Sequence, residues 1–216
     1  MRLTPLGEEL IILEDLGDFP PALLADRLES IGLPGIIEAA PAWSTVGLHL
    51  EPESFCLPDL QKALHGLSPD QTQQLPSQTI SVPVCWNLGE DLEAAAAACS
   101  LSVEKLISRL EGEGWPCRFV GFQPGFPYCG PLPPPLNQIP RLESPRTKVP
   151  AGSVAVAAGQ LGIYPSDSPG GWMLVGRTPL VICSPNDSFF PIKPGDRICL
   201  QGITQKEFQD RLGERL

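Results

Sequence analysis

Histidine is nearly absent from this chain. Its 216 residues include two, His49 and His65, and both precede the chemically interesting stretches. A Ser-His or Cys-His nucleophile built from the second part of the chain alone is therefore excluded. A surface or packing role is the simpler reading of each histidine, and a two-histidine metal site has no other support. The seven cysteines contain no CxxC spacing, so a cysteine zinc site is not supported either. Long apolar runs are missing as well. Leu10 to Leu13 is short and lies between Glu8, Glu9, Glu14 and Asp15, which fits neither a secretory leader nor a membrane span. An odd cysteine count without a leader points to a reduced, cytoplasmic protein whose thiols act as small buried apolar groups. Basic residues are scarce, with 15 Lys and Arg against 25 Asp and Glu and a net charge of -10. That balance argues against a nucleic-acid backbone as partner. The P-loop, the GxSxG elbow and HExxH are all missing.

What is present is apolar and heavily punctuated. Hydrophobic residues make up 42% of the chain, with 26 prolines and 21 glycines. One large domain or two small ones can be built from this, with many turns. Leu10 to Glu14 reads as a strand. Leu23, Leu24, Leu28 and Ile31 stand at helical spacing behind Pro20 and Pro21, with Gly32 to cap the end. Ile36 to Leu50 reads as one or two strands and Leu57 to Leu67 as a helix. Residues 1–75 thus form a small α/β unit. Ser68 to Gln78 is polar and reads as a linker. Thr79 to Trp86 alternates as a strand does. Gly89 to Leu110 is helical, broken near Ser100, with Ser102 and Lys105 opening the second piece. Cys117 to Phe122 is extended. Short β-prone pieces then follow at Ser153–Ala158, Gly162–Tyr164, Trp172–Thr178, Leu180–Cys183 and Arg197–Leu200, and Gln205–Leu212 closes as a helix. Many short strands with frequent turns predict a β-barrel or sandwich over residues 76–216. The fold class is therefore α+β.

Three segments carry candidate chemistry. In Gly121-Phe122-Gln123-Pro124-Gly125-Phe126-Pro127-Tyr128, aromatics flank a Pro-Gly turn, which suits either a packed turn or a binding loop. In Pro140 to Val154, Arg141, Arg146 and Lys148 form a cationic exception in an acidic chain. Proline-held guanidinium forks suit a carboxylate or phosphate, although a solvated loop pairing with Glu143 is the simpler account on residue type alone. In Gln160 to Pro179, Ser168-Pro169-Gly170-Gly171 can bring backbone N–H groups near a ligand, Trp172 can stack and Arg177 can pair. A hairpin with a glycine turn and a core tryptophan explains the same residues.

Taken together, these segments resemble one family. Its second half carries GFxPGF, then PRxxxPRxxVPAGSV, then GxQxGIYPxxSPGGWxxxGRTP, matched here by Gly121–Phe126, Pro140–Val154 and Gly159–Pro179. The opening strand, Pro34-Gly35-Ile36-Ile37-Glu38 and Gly195-Asp196-Arg197 also fit, so the resemblance covers nearly the whole chain. The family includes the B-type subunit of bacterial 5-oxoprolinase, proteins labelled allophanate hydrolase subunit 1, and the kinase inhibitor KipI. A related module occurs in the carboxyltransferase part of urea carboxylases. The resemblance implies a cyclophilin-like β-barrel behind a small α/β domain. It also implies a KipA-type or C-type partner subunit, an A-type lactam-utilisation subunit, and ATP-dependent opening of 5-oxo-L-proline to L-glutamate. A KipI-like regulatory role and a carboxyltransferase module are the alternatives. The implied small-molecule site comprises Phe126, Arg141, Arg146, Gln160, Tyr164, Gly170, Gly171, Trp172 and Arg177. In it Arg146 and Arg177 would clamp a carboxylate or phosphate, Phe126 and Trp172 would form apolar walls, and Gly170 and Gly171 would offer N–H groups. Two departures stand out. Family members carry a histidine late in the second helix of this half, where this chain has Leu110. Cys129 and the run Pro131–Pro135 replace an LGGL-like turn.

Overall fold

The computed structural model describes residues 1–67, 77–112 and 114–216. They fall into two compact units, Met1–Pro76 and Ser77–Leu216. The linker expected at Ser68 to Gln78 lies mostly outside the described residues.

The first unit is a four-stranded antiparallel sheet with two helices. Its elements are β1 (Arg2–Pro5), β2 (Leu10–Glu14), α1 (Pro21–Ile31), β3 (Ile36–Pro41), β4 (Val46–Leu50) and α2 (Leu57–Gly66), with sheet order β1-β2-β4-β3. Alternation sends Ile11 and Leu13 from β2, and Val46, Leu48 and Leu50 from β4, into one core with Leu24 and Leu28 of α1 and Leu60 of α2. Pro21 opens α1, and Gly32 ends it in the left-handed conformation at φ 66°. Strand β1 was not expected. Four residues ending in proline carry no alternation of their own, and their edge pairing with β2 defines them.

The second unit contains β5 (Thr79–Val84), α3 (Leu92–Ala98), α4 (Val103–Glu111), β6 (Trp115–Val120), β7 (Pro127–Cys129), β8 (Arg146–Val149), β9 (Ser153–Ala157), β10 (Gln160–Ile163), β11 (Ser168–Gly170), β12 (Met173–Arg177), β13 (Arg197–Gly202) and α5 (Gln205–Asp210). Seven of the strands form one sheet in the order β12-β9-β10-β7-β6-β13-β5. Its two edges meet where Cys85, just past β5, exchanges backbone hydrogen bonds with Arg177 of β12 at 2.8 and 3.1 Å. That contact closes the sheet into a barrel and removes its free edges. The expected α+β architecture, a small first unit followed by a barrel, is what the structure shows. The barrel core joins Val82, Val84, Val154, Val156, Leu161 and Ile163 with Leu106 and Leu110 of α4. The Ser102 hydroxyl accepts from the Lys105 N–H at 3.3 Å and starts α4 where the sequence indicated.

Two expectations are corrected. Leu180–Cys183 is not a strand. Both edges of the sheet are already joined, so this segment makes only a single bridge, Val181 with Arg215. The Ser168–Gly170 stretch is not the glycine turn of a hairpin. It is β11, paired with β8 in a two-stranded ribbon outside the barrel sheet.

Candidate functional site

The ribbon sets the position of Arg146. Gly170 of β11 lies opposite it in the register. The loop between β5 and α3 reaches its guanidinium from another side. Asp91 Oδ1 accepts from Nη2 at 2.7 Å, and Glu90 Oε2 lies 3.5 Å from Nε. The second Asp91 oxygen accepts from the Leu174 N–H at 2.7 Å, and the Asp91 N–H donates to the Leu174 carbonyl at 2.9 Å. Gly89 sits so close to Val175 that a Cβ there would overlap the backbone. The loop is thus pinned to β12, and Asp91 brackets β12 and Arg146 together. The hydrogen bond to Asp91 is the main reason that Arg146 holds its proton even more tightly than an ordinary arginine, with burial opposing it. The remaining terminal nitrogen, Nη1, is buried and has no hydrogen-bond partner.

An aromatic wall stands beside this arginine. The Phe126 ring meets Tyr164 at 5.0 Å and Trp172 at 5.7 Å, both edge-on, and Tyr128 at 4.9 Å. Tyr128 also lies 5.6 Å from Trp172 and stacks on Phe119 at 4.3 Å. Phe126, Tyr164 and Trp172 are buried. Phe122 is not: it is 64% exposed, with its ring edge-on to Phe126 and Tyr164. Its φ of 68° is a left-handed backbone that non-glycine residues adopt at a cost. Gly170 packs so tightly on the Tyr164 hydroxyl that no side chain fits there. Burial raises the Tyr164 hydroxyl above its usual range, as does Tyr128, while the Trp172 backbone and the positive charges of Arg146 and Arg141 pull it back. Tyr128 is likewise raised by burial and lowered by Arg141. Arg141 is exposed and within electrostatic reach of both tyrosines.

The other cations are placed differently. Lys148 pairs with Asp167 at 2.8 Å rather than with Glu143. Arg177 donates from Nε to the Ala151 carbonyl at 2.9 Å and lies 5.9 Å from the Phe208 ring centre. It lines a cavity of about 300 Å³ with Asn87, Glu90, Ser153 and Leu174. Glu90 therefore borders both this cavity and Arg146. Cys183 packs against Gly125 of the aromatic turn. Burial, with Asp187 adding to it, raises this thiol, which makes it a poor nucleophile. No group of three or more metal-ligating side chains occurs among the described residues.

Comparison with known proteins identifies the architecture. The model of the carboxyltransferase domain, subdomain C and D, matches residues 3–190. This chain belongs to that family. It is 35% identical to the B-type subunit of the 5-oxoprolinase of Escherichia coli O157:H7 over 217 residues, covering 95% of this chain and 97% of the relative. It is 30% identical to the protein of the same name from Bacillus subtilis strain 168, over 85% of this chain and 82% of that one. The crystal structure of TTHA0988 superposes with a TM-score of 0.77 at 32% identity over 90% of this chain, but the match spans only 40% of the longer TTHA0988 chain. The Kluyveromyces lactis urea amidolyase shares the fold, with a TM-score of 0.73 at 19% identity over 96% of this chain and 15% of that one.

Within this carboxyltransferase-family barrel, the structure brings together Phe126, Arg146, Tyr164, Gly170 and Trp172, with Arg141 nearby. Gly171 ties the ribbon to the preceding loop, because its carbonyl accepts from the Leu142 N–H at 2.7 Å. Arg177 lines the neighbouring cavity. Gln160 opens β10, four residues before Tyr164, and extended chain separates the two by about 13 Å. Leu110, where the resemblance implied a histidine, is fully buried in the barrel core. Sequence reasoning missed Asp91 and Glu90, the carboxylates that hold Arg146. Asp91 lay within the stretch Gly89 to Leu110, which read only as helical, and its partner lies 55 residues away.

Proposed function

We propose that this chain is the B-type subunit of an ATP-dependent 5-oxoprolinase, acting with A- and C-type partner subunits to open 5-oxo-L-proline to L-glutamate. The alignment with the Escherichia coli relative over nearly the full length of both chains supports the assignment. One observation supports the chain's own share in the work: Arg146 is held by Asp91 and Glu90 beside an aromatic wall, with one buried N–H left unpaired. An unpaired buried donor costs stability unless something makes use of it, and a ligand polar group is the natural use.

In this reading the chain binds and orients, and the partners complete the chemistry. The sequence has no P-loop, so the nucleotide is handled by the assembled complex. The aromatic rings exclude water from one face of the substrate, and the arginine fixes a polar end. The reading places the complex in the cytoplasm, where ATP is available and the seven thiols stay reduced.

The test is 5-oxoproline-dependent ATP hydrolysis by this chain with its A- and C-type partners, each omitted in turn. Activity that vanishes without this chain supports the assignment. An assembled complex with no such activity, or one indifferent to this chain, rejects it.

A further inference from the structure

Arg177 is a cation that the surroundings of Arg146 leave unused. Its Nε donates to the Ala151 carbonyl at 2.9 Å, and its guanidinium carbon lies 5.9 Å from the Phe208 ring centre. These contacts hold the guanidinium plane without neutralising its charge. Asp167 is within its electrostatic reach, yet that carboxylate is already taken, by Lys148 at 2.8 Å and by the Ala151 N–H at 2.8 Å. Among the described residues Arg177 makes no ion pair, and neither of its terminal nitrogens has a hydrogen-bond partner. Neither nitrogen is sealed off as Arg146 Nη1 is, so both stay within reach of a ligand. With Nε occupied, the end-on fork remains, and it suits the two oxygens of a carboxylate.

The same cavity carries the opposite charge. Arg177, Asn87, Glu90, Pro150 and Leu174 all line it, and its volume of about 300 Å³ is at the small end for ligand sites. Glu90 is 61% exposed and is the weaker partner of Arg146, at 3.5 Å against 2.7 Å for Asp91, so it can take a second cation. The Asn87 side-chain amide has no hydrogen bond among the described residues and offers both a donor and an acceptor. The barrel fixes these walls: Gly89 packs on the Val175 backbone, and Arg177 pairs with Ser153 in the strand register. A lone anion at Arg177 would share the cavity with Glu90, and a lone ammonium at Glu90 would share it with Arg177. A ligand that bears both charges meets its opposite at each end.

We propose that this cavity binds a free α-amino acid, with the carboxylate on the Arg177 fork and the ammonium group at Glu90. The side chain of the amino acid lies against Leu174 and Pro150. The site follows from the cavity and its charges alone. Naming the amino acid as L-glutamate rests on the function proposed above. Hydrolysis of a lactam breaks the ring C–N bond, puts the oxygen of water on the carbonyl carbon and turns the neutral amide nitrogen into an ammonium group. The open product therefore carries both charges, whereas the lactam carries only the carboxylate, and the cavity distinguishes the two.

The experiment uses the full ¹⁵N-labelled chain and four small probes: L-glutamate, L-leucine, 5-oxo-L-proline and butylamine. The readouts are the Asn87 side-chain amide and the Arg177 Nε–H, which report on this cavity whatever a probe does elsewhere on the chain. The amino acids are expected to shift both signals. The lactam, which has no ammonium group, and the amine, which has no carboxylate, should leave them in place. Glu90→Gln should weaken amino-acid binding about tenfold or more, as loss of a charged hydrogen bond does. It should also let 5-oxo-L-proline in, because no acid then opposes its carboxylate. Arg177→Lys keeps the charge but removes the fork, and should weaken binding by about the same factor. If that variant misfolds, as its indole N–H signals would show, the exposed Glu90→Gln carries the test. Shifts caused by the lactam or the amine instead of the amino acids, no shift with any probe, or variants that bind as the wild type does would overturn the proposal. Binding of L-leucine but not of L-glutamate would keep the site and remove the named ligand. Amino-acid binding here in a chain whose complex shows no 5-oxoproline-dependent ATP hydrolysis would reject the function and keep the site. An active complex whose chain binds neither amino acid would do the reverse.

Discussion

Asp91 is the residue on which the geometry around Arg146 depends, and its replacement can be worked through from the structure. The carboxylate makes two hydrogen bonds of 2.7 Å, one to the Arg146 guanidinium and one to the Leu174 N–H. The Asp91 and Arg146 side chains are 13% and 24% exposed, so solvent screening is partial. A hydrogen bond to a charged group contributes about 1.5–3 kcal/mol net. Asp91→Ala removes both bonds and leaves the arginine with Glu90 alone, so a loss of about 3–5 kcal/mol is expected. Asp91→Asn can still accept from Leu174 but no longer offers a charge to Arg146, and the expected loss is about 1.5–3 kcal/mol. Urea unfolding followed by tryptophan fluorescence reports on the barrel unit, which holds Trp86, Trp115 and Trp172. The decisive comparison is the same Asp91→Asn change in an Arg146→Met background. If Asp91 acts by holding Arg146, most of the cost disappears there. A cost that stays the same in both backgrounds would refute the bracket and reduce Asp91 to a backbone anchor for β12.

Most of the barrel strands were legible because they obey local rules. Ser153–Ala157 is apolar and β-branched, Met173–Arg177 follows a turn, and Arg197–Gly202 alternates, so each announces itself within a few residues. The β8–β11 ribbon was not legible. Arg146–Val149 and Ser168–Gly170 are polar or proline-bearing, and only their mutual pairing makes them strands. The same division runs through the site. The spaced motifs named Phe126, Arg146, Tyr164 and Trp172, and the fold gathers these into one region. They could not reveal that Lys148 spends its charge on Asp167, or that Arg146 spends most of its own on Asp91 and Glu90. Charge neutralisation depends on which side chains meet, and residues 55 positions apart meet only through the fold. Gln160 belongs to the same motif as Tyr164, and the strand β10 that it opens sets the two about 13 Å apart.

Other perturbations follow from the same geometry. Gly170→Ala places a methyl group against the Tyr164 hydroxyl and should cost about 1–3 kcal/mol by urea unfolding, with a changed Tyr164 environment; a neutral effect would mean the ribbon yields freely. Asp167 is held below the usual aspartate range, first by Lys148 and then by the Ala151 N–H. Its ionised form therefore favours the fold above the ordinary aspartate value, and that contribution disappears as pH falls through the lowered one. In Lys148→Ala, an NMR titration should find the Asp167 carboxyl moved back up towards its ordinary range, and an unmoved titration would assign the effect to Ala151 alone. The last prediction concerns Tyr128 and Tyr164, which are the only two tyrosines in the chain. Burial is the first cause of the raised value of each, so both should ionise above pH 10.0 in the native protein and near it in urea. The folded state holds these protons more tightly than the unfolded chain does. The stability they confer is therefore complete below the unfolded value and declines as pH rises towards the folded ones. Tyrosinate absorbance against pH measures this directly, and Arg141→Ala should push both transitions higher, because its charge now lowers them. Two native transitions coinciding with those in urea would mean that the aromatic wall is open to water, and would remove the dry face that the proposed function assigns to the substrate.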